Sequence, residues 1–142
     1  MSERGQTMAF AGYLMKFTQN NEIVPYKFMQ TFKSTPNQRT DMDSYTDANG
    51  ELHRNALEHT STKTEWTTPP LHITDWEQLM ALFNRNYINA LERKVPVEYY
   101  NFEDCDYKTG YFYVPDFTIE VLLDKGNNDL LLNSVRFAII EY

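Results

Sequence analysis

The residues of this chain with the means to do chemistry are its carboxylates, its three histidines and a lone cysteine. Asp41, Asp43 and Asp47 precede Gly50 in a polar stretch, residues 39–66, and the spacing invites comparison with a calcium loop. An EF-hand loop opened by Asp41 needs glycine at its sixth position and a bidentate glutamate at its twelfth. Thr46 and Leu52 stand there, and neither flank has a helical pattern. A turn-rich connection is the expectation instead. Asp, Asn and Ser bond their own backbone, and Asn49-Gly50 supplies the positive φ of a hairpin turn. Arg39 and Arg54 accompany the aspartates, and a guanidinium can hold a carboxylate through two parallel hydrogen bonds. Arg39, Asp41, Asp43, Tyr45, Asp47 and Arg54 are therefore read as a salt-bridged turn that sets the loop's shape or docks it on a neighbour.

The remaining candidates carry less. On an extended strand His53 and His59 would share a face about 20 Å apart, too far for one ion. Zinc takes three or four ligands, and the histidines and Cys105 are scattered. No metal and no cofactor is expected. Glu103, Asp104 and Asp106 could form an acid–base pair, but a glycosidase holds its carboxylates across a cleft. Here they follow one another on one loop, so solvated or interfacial charge is the plainer reading for Glu103, Asp106 and the adjacent Tyr107. Cys105 has no intramolecular partner for a disulfide, and its flanking carboxylates suggest an unreactive thiol. A glycine-rich phosphate loop and a Gly-x-Ser-x-Gly elbow are both missing. The chain reads as a non-enzyme.

The elements that must position these residues are mostly strands. Met8 to Phe17 is an apolar run, and Ile23 to Phe32 partly alternates, with Pro25 at its start. Ser34-Thr35-Pro36-Asn37 ends that run. Thr60 to Thr67 alternates with threonine and tryptophan on one face, which suits a pleated surface. Thr74 and Glu77 fit a capping box, and Trp76, Leu79, Met80, Phe83, Tyr87, Ile88 and Leu91 recur at helical spacing. An amphipathic helix is expected at about 74–93, stopped before Pro96. Strands are then expected at Val95 to Tyr100, Tyr111 to Val114, Phe117 to Leu123 and Leu130 to Tyr142, with a loop over Asn101 to Gly110. The fold class is mainly β, a β-sandwich or split barrel with one helix laid across it, in a single domain over 1–142.

Composition bounds the rest. A net charge of −7 argues against binding a nucleic-acid backbone, which needs a basic face. Tyrosine and phenylalanine are abundant, which suits sheets and interfaces. The polar residues 1–6 precede no apolar signal region, and no apolar run is long enough to cross a membrane. Synthesis in the cytoplasm is expected.

Several segments together resemble a known family. They are Arg39-Thr40-Asp41-x-Asp43-Ser44-Tyr45-x-Asp47-x-x-Gly50-x-Leu52-His53-Arg54, Leu57-x-His59 with Thr62-Lys63, Tyr99-Tyr100-Asn101-x-Glu103-x-x-Asp106-Tyr107-Lys108-x-Gly110-x-Phe112-Tyr113-x-Pro115-Asp116, and Ile140-Glu141-Tyr142. The chain is similar there to small proteins encoded in phages and prophages of Gram-positive gut bacteria, in the tail module. The resemblance covers most of 36–142 and implies a virion tail component with a tail-tube-like fold, made in the host cytoplasm. It implies a homohexameric ring around the DNA channel, at the distal tail or baseplate hub. Its partners would be further copies of itself, the tail tube, the tape measure and the hub, with DNA only passing through and no membrane involved. A completion or terminator ring at the head-proximal end is the close alternative. A carbohydrate or receptor-binding module, using Tyr99-Tyr100 and Tyr111-Phe112-Tyr113, is the alternative of a different class.

Overall fold

The computed structural model describes residues 9–142. In chain order the elements are β1 (Met15–Phe17), β2 (Glu22–Ile23), β3 (Gln30–Asp41), β4 (Tyr45–Thr46), β5 (Leu52–His53), β6 (Ala56–Thr67), β7 (Leu71–His72), α1 (Ile73–Asn86), β8 (Lys94–Asn101), β9 (Asp106–Tyr113), β10 (Val121–Gly126), β11 (Asp129–Leu132) and β12 (Arg136–Glu141). A seven-stranded sheet runs β2-β1-β8-β9-β12-β6-β3, a three-stranded sheet runs β10-β11-β7, and β4 pairs with β5. The pairings within all of these sheets are antiparallel. Among the described residues the architecture is mainly β with one α-helix, as expected, and the sheets are open, so it is sandwich-like rather than a closed barrel.

Alternation along the strands decides which face is buried. In β8, Val95, Val97, Tyr99 and Asn101 point inward while the residues between them are half-exposed. Thr62, Thr64 and Trp66 of β6 and Phe137 and Ile139 of β12 point the same way, and α1 packs Trp76 and Phe83 on Phe137 and adds Leu79 and Leu82 to the same core. Phe137 is the hub of this core. Its ring lies 5.8 Å from Trp66, 5.8 Å from Trp76, 5.4 Å from Phe83 and 4.8 Å from Phe117. The other face of the large sheet carries Lys16, Lys33, Lys63, Lys94 and Arg136 against Glu65 and Glu98, since cross-strand partners share a face. The acidic balance of the chain therefore does not extend to this surface.

Several expected boundaries move, each for a tertiary reason. The helix is Ile73–Asn86, not 74–93. Leu71 and His72 are held extended by β11, so His72 is the N-cap, and it makes no side-chain capping bond. The capping box expected at Thr74 does not form, although Asp75 remains in the first turn. At the other end the buried Asn86 amide donates to the Leu82 carbonyl (2.7 Å) and to Glu22 (3.0 Å), and its oxygen accepts the Asn20 amide (3.2 Å). Tyr87 is already extended, with ψ 133. Leu91, expected on the apolar face, is 96% exposed.

Asn101 to Gly110 is not a loop. It is the turn and second strand of a tight β8–β9 hairpin, with Asn101 opposite Asp106. Phe117 to Glu120 precede the strand that holds Val121 to Leu123. Leu130 to Tyr142 is two strands in different sheets, because Thr68 and Val135 exchange bonds at the crossing (Thr68 N to Val135 O 2.9 Å, Val135 N to Thr68 Oγ1 3.0 Å). Of the first apolar run only Met15–Phe17 is strand, and Met8 lies outside the described residues, as do residues 1–6. The second run divides into β2, a single 3-10 turn and the start of β3, which continues through Ser34–Asn37.

Candidate functional site

β3 and β6 are the longest strands, and their relation to the sheet creates the site. They pair from Gln30↔Thr67 to Asp41↔Ala56. β12 accompanies β6 only between Lys63 and Thr67. The remainder of the β3–β6 pair leaves the sheet as a two-stranded arm tipped by the β4–β5 hairpin. Met42, Tyr45, Leu52 and Leu57 are exposed along it. An isolated two-stranded ribbon is marginally stable in water, so local bonds must hold its shape.

Those bonds involve much of the polar stretch. Arg54 clamps Asp41 through two hydrogen bonds, Nε to Oδ2 at 3.0 Å and Nη2 to Oδ1 at 2.8 Å. Met42 donates to the Asn55 carbonyl (2.8 Å), and Asn55 donates to Ser44 Oγ (3.0 Å). Asp43 takes a left-handed conformation, φ 57, where the chain turns toward β4. Asp47 builds the tip: its Oδ1 accepts the amides of Asn49 (2.9 Å) and Glu51 (3.0 Å), and its Oδ2 meets His53 Nε2 at 2.8 Å. Tyr45 stacks on His53 with centroids 4.8 Å apart. Gly50, at φ 83, completes the turn.

Arg39 faces elsewhere. Its guanidinium reaches Glu103 (3.3 Å) and the Asn37 carbonyl rather than the aspartates. This is the base of the arm, where β3 bulges between Thr35 and Gln38 and Asn37 adopts φ 49. Asn37 is buried there with Asn101. Asn101 Nδ2 donates to Asn37 Oδ1 (2.9 Å), Asn37 Nδ2 donates to Glu103 (2.6 Å), and the Asn37 amide donates to Thr62 Oγ1 (3.1 Å). Asn101 Oδ1 also accepts the amides of Glu103 (3.0 Å) and Asp104 (3.1 Å), which makes the 102–105 turn. One buried amide pair thus locks the arm to the β8–β9 hairpin. Sequence reasoning missed the roles of Asn37 and Asn101, since an Asn beside Pro36 or in a polar run looks like surface turn chemistry.

Asp106 and Tyr107 part company with Glu103. Asp106 accepts the Tyr107 amide at 2.8 Å at the start of β9. Tyr107 stacks on Tyr13 (4.7 Å) and donates to the Tyr13 carbonyl (2.7 Å), so it pins the segment before β1 to the open face of the sheet. Tyr13 in turn donates to Glu98 at 2.6 Å, and that bond and burial push its hydroxyl up to about 12.

The electrostatics of the arm are one-sided. Arg54 holds Asp41 below its ordinary value, His53 does so for Asp47, Asn37 and then Arg39 for Glu103, and Lys108 and then Asn37 for Asp104. A carboxyl depressed in the folded state adds stability above its unfolded value, and that contribution is lost as pH falls through the folded value. The arm should therefore keep its shape at neutral pH and loosen only below about pH 4. Hydrogen exchange at the Met42 and Glu51 amides, followed from pH 7 to pH 3, checks this; loosening already at pH 6 would contradict it. In the same assay, Asp41→Asn should speed exchange at Met42 and leave the thermal midpoint unmoved, since the clamp is exposed.

Among the described residues, Asp47, Glu51 and His53 each place a potential ligand atom within 4.8 Å of the others. They are the side chains that could hold a cation here. Both oxygens of Asp47 already have protein partners, however, and the turn alone accounts for them. No helix among the described residues is long and apolar enough to cross a membrane.

Comparison with known proteins adds a fold and a family. No curated protein matches the chain in sequence. Among solved structures, it is similar to a chain from the tail of an empty GTA particle, obtained by helical refinement in C6 symmetry. The likeness has a TM-score of 0.51 at 13% identity and covers 94% of this chain and 95% of that one. Identity so low establishes a shared fold and leaves the chemistry to be argued from the site. The model of a family of unknown function, DUF6711, matches residues 8–142, and this chain belongs to that family.

Proposed function

We propose that this protein is a structural, non-catalytic subunit of a phage or phage-like tail, in which copies of it close into a ring, hexameric, around the DNA channel. The observation that carries this reading is the fold likeness, nearly end to end, to a chain of a C6-symmetric tail. The arm supports it: a protruding ribbon with Met42, Tyr45, Leu52 and Leu57 exposed is a surface made to be covered. The arm would reach a neighbouring copy or the next tail protein, with the tail tube, tape measure and baseplate hub as the class of partner. The distal tail or baseplate hub is the proposed position, on the strength of the sequence resemblance.

Charge refines the picture. A channel wall should repel DNA so that it does not stick during passage. The open sheet face, with its lysines, is poorly suited to that. Reconstruction of intact particles by electron microscopy tests the reading. A closed ring of this chain around the channel is the expected result. Particles that contain no copy of it would sink the proposal.

A further inference from the structure

β10 is exposed in an unusual way. It is the edge of the three-stranded sheet, and all of its residues are solvent-exposed. Leu122 and Leu123 are 54% and 53% exposed, at a bulge in the pairing with β11 between Val121 and Leu123. Among the described residues its outer edge is unpaired, and with uncovered leucines it can take another chain, while its bulges and the charges of Asp124 and Lys125 restrain indiscriminate pairing. Its charges are mostly acidic: Asp124 follows the leucines, Asp129 closes the turn to β11 and Glu120 precedes the strand, against the one lysine, Lys125, on β10.

A second, unlike surface lies along the other part of α1. There the segment from Glu22 to Phe28 runs beside the helix and leaves an open groove of about 410 Å³. Ile23, Pro25, Phe28 and Leu82 line it together with Lys27 and with Arg85 and Glu22, which are paired with each other. One surface is an apolar strand with a net negative charge, and the other an apolar groove to which Lys27 adds positive charge. Each is open on the single chain, so neither fills the other within a subunit. Two different complementary patches per subunit are what a head-to-tail ring contact requires, whereas a two-fold dimer uses one patch twice.

We infer that β10 is the strand by which one copy of this chain docks into the groove between α1 and the Glu22–Phe28 segment of the next copy. Leu122 and Leu123 supply the apolar contact, and Asp124 meets Lys27. The inference rests on the ring reading and adds which surfaces meet. It leaves the arm available for contacts along the tail axis.

The test uses the full-length chain with Cys105→Ser, so that introduced thiols are the only ones. One preparation carries Leu122→Cys and another Ile23→Cys. They are mixed at concentrations where sedimentation shows association, and then oxidised. The expected result is a covalent dimer in the mixture and none in either preparation alone. The chain carrying both substitutions should give a ladder of covalent oligomers. Charge reversal supplies an independent readout. Asp124→Lys and Lys27→Glu should each raise the concentration for half-assembly at least about tenfold, and together they should largely restore it. Association without cross-linking and without charge rescue would overturn this inference and leave the ring reading standing. A chain that stays monomeric at every concentration, alone and with its tail neighbours, would overturn both.

Discussion

Phe137→Ala should cost about 3–5 kcal/mol of stability, the range for truncating a buried aromatic ring. Phe137 is fully buried and packs against two tryptophans and two phenylalanines, which come from β6, from α1 and from the segment before β10. Removing the ring opens a cavity where the helix, the large sheet and the chain entering the small sheet meet. Collapse around that cavity would require all three to move together, so the loss should lie toward the upper end. Urea unfolding of the two proteins measures it directly. Leu91→Ala is the matched control. Leu91 fits the same helical periodicity in the sequence but stands in solvent, so its truncation should stay within about 0.5 kcal/mol. Equal costs for the two would mean that the core is not organised around Phe137.

Asn101→Ala should cost about 2–4 kcal/mol, because several buried partners lose their bonds at once. The Asn101 side chain is the acceptor for the Glu103 and Asp104 amides and the donor to Asn37. Without it the 102–105 turn loses its anchor, and Asn37 Oδ1 loses its buried donor. The structural consequence should be local as well as global. Exchange should quicken at Glu103 and Asp104 and at the base of the arm, while Met42 and Glu51 at the far end change little. Asn101→Asp separates the two roles. It keeps an acceptor for the turn amides but places a charge facing Asn37, beside Glu103 and Asp104. A loss confined to the arm base in this variant, with the turn amides still protected, would show that the two functions of Asn101 are distinct. A neutral effect of Asn101→Ala would remove the argument that a buried amide pair fixes the arm.

Much of the local structure was legible from residue types. The alternation of Thr62, Thr64 and Trp66 put these three on one face of a strand, since strand side chains alternate whatever they pair with, and that face is the buried one. Asn49-Gly50 marked the hairpin at the arm's tip, because the turn needs positive φ there. Helical spacing found Trp76, Leu79 and Phe83. These signals are short-range, and the chain carries them before it folds.

What only the tertiary structure decided are the outcomes that depend on a distant partner. α1 ends at Asn86 because Glu22 and Asn20 capture that side chain, and it begins at Ile73 because β11 holds Leu71 and His72 extended. The final apolar run splits between two sheets because Thr68 meets Val135. Arg39 and Glu103 looked like members of two separate loops, and the Asn37–Asn101 pair brings them together across a sequence separation of 64. The sequence by itself determined periodicity, turns and the sign of the net charge, since each follows from near neighbours or from composition. Which strands pair, where the arm leaves the sheet, and which surface carries lysines while the chain as a whole is acidic were decided by contacts between residues far apart in the chain.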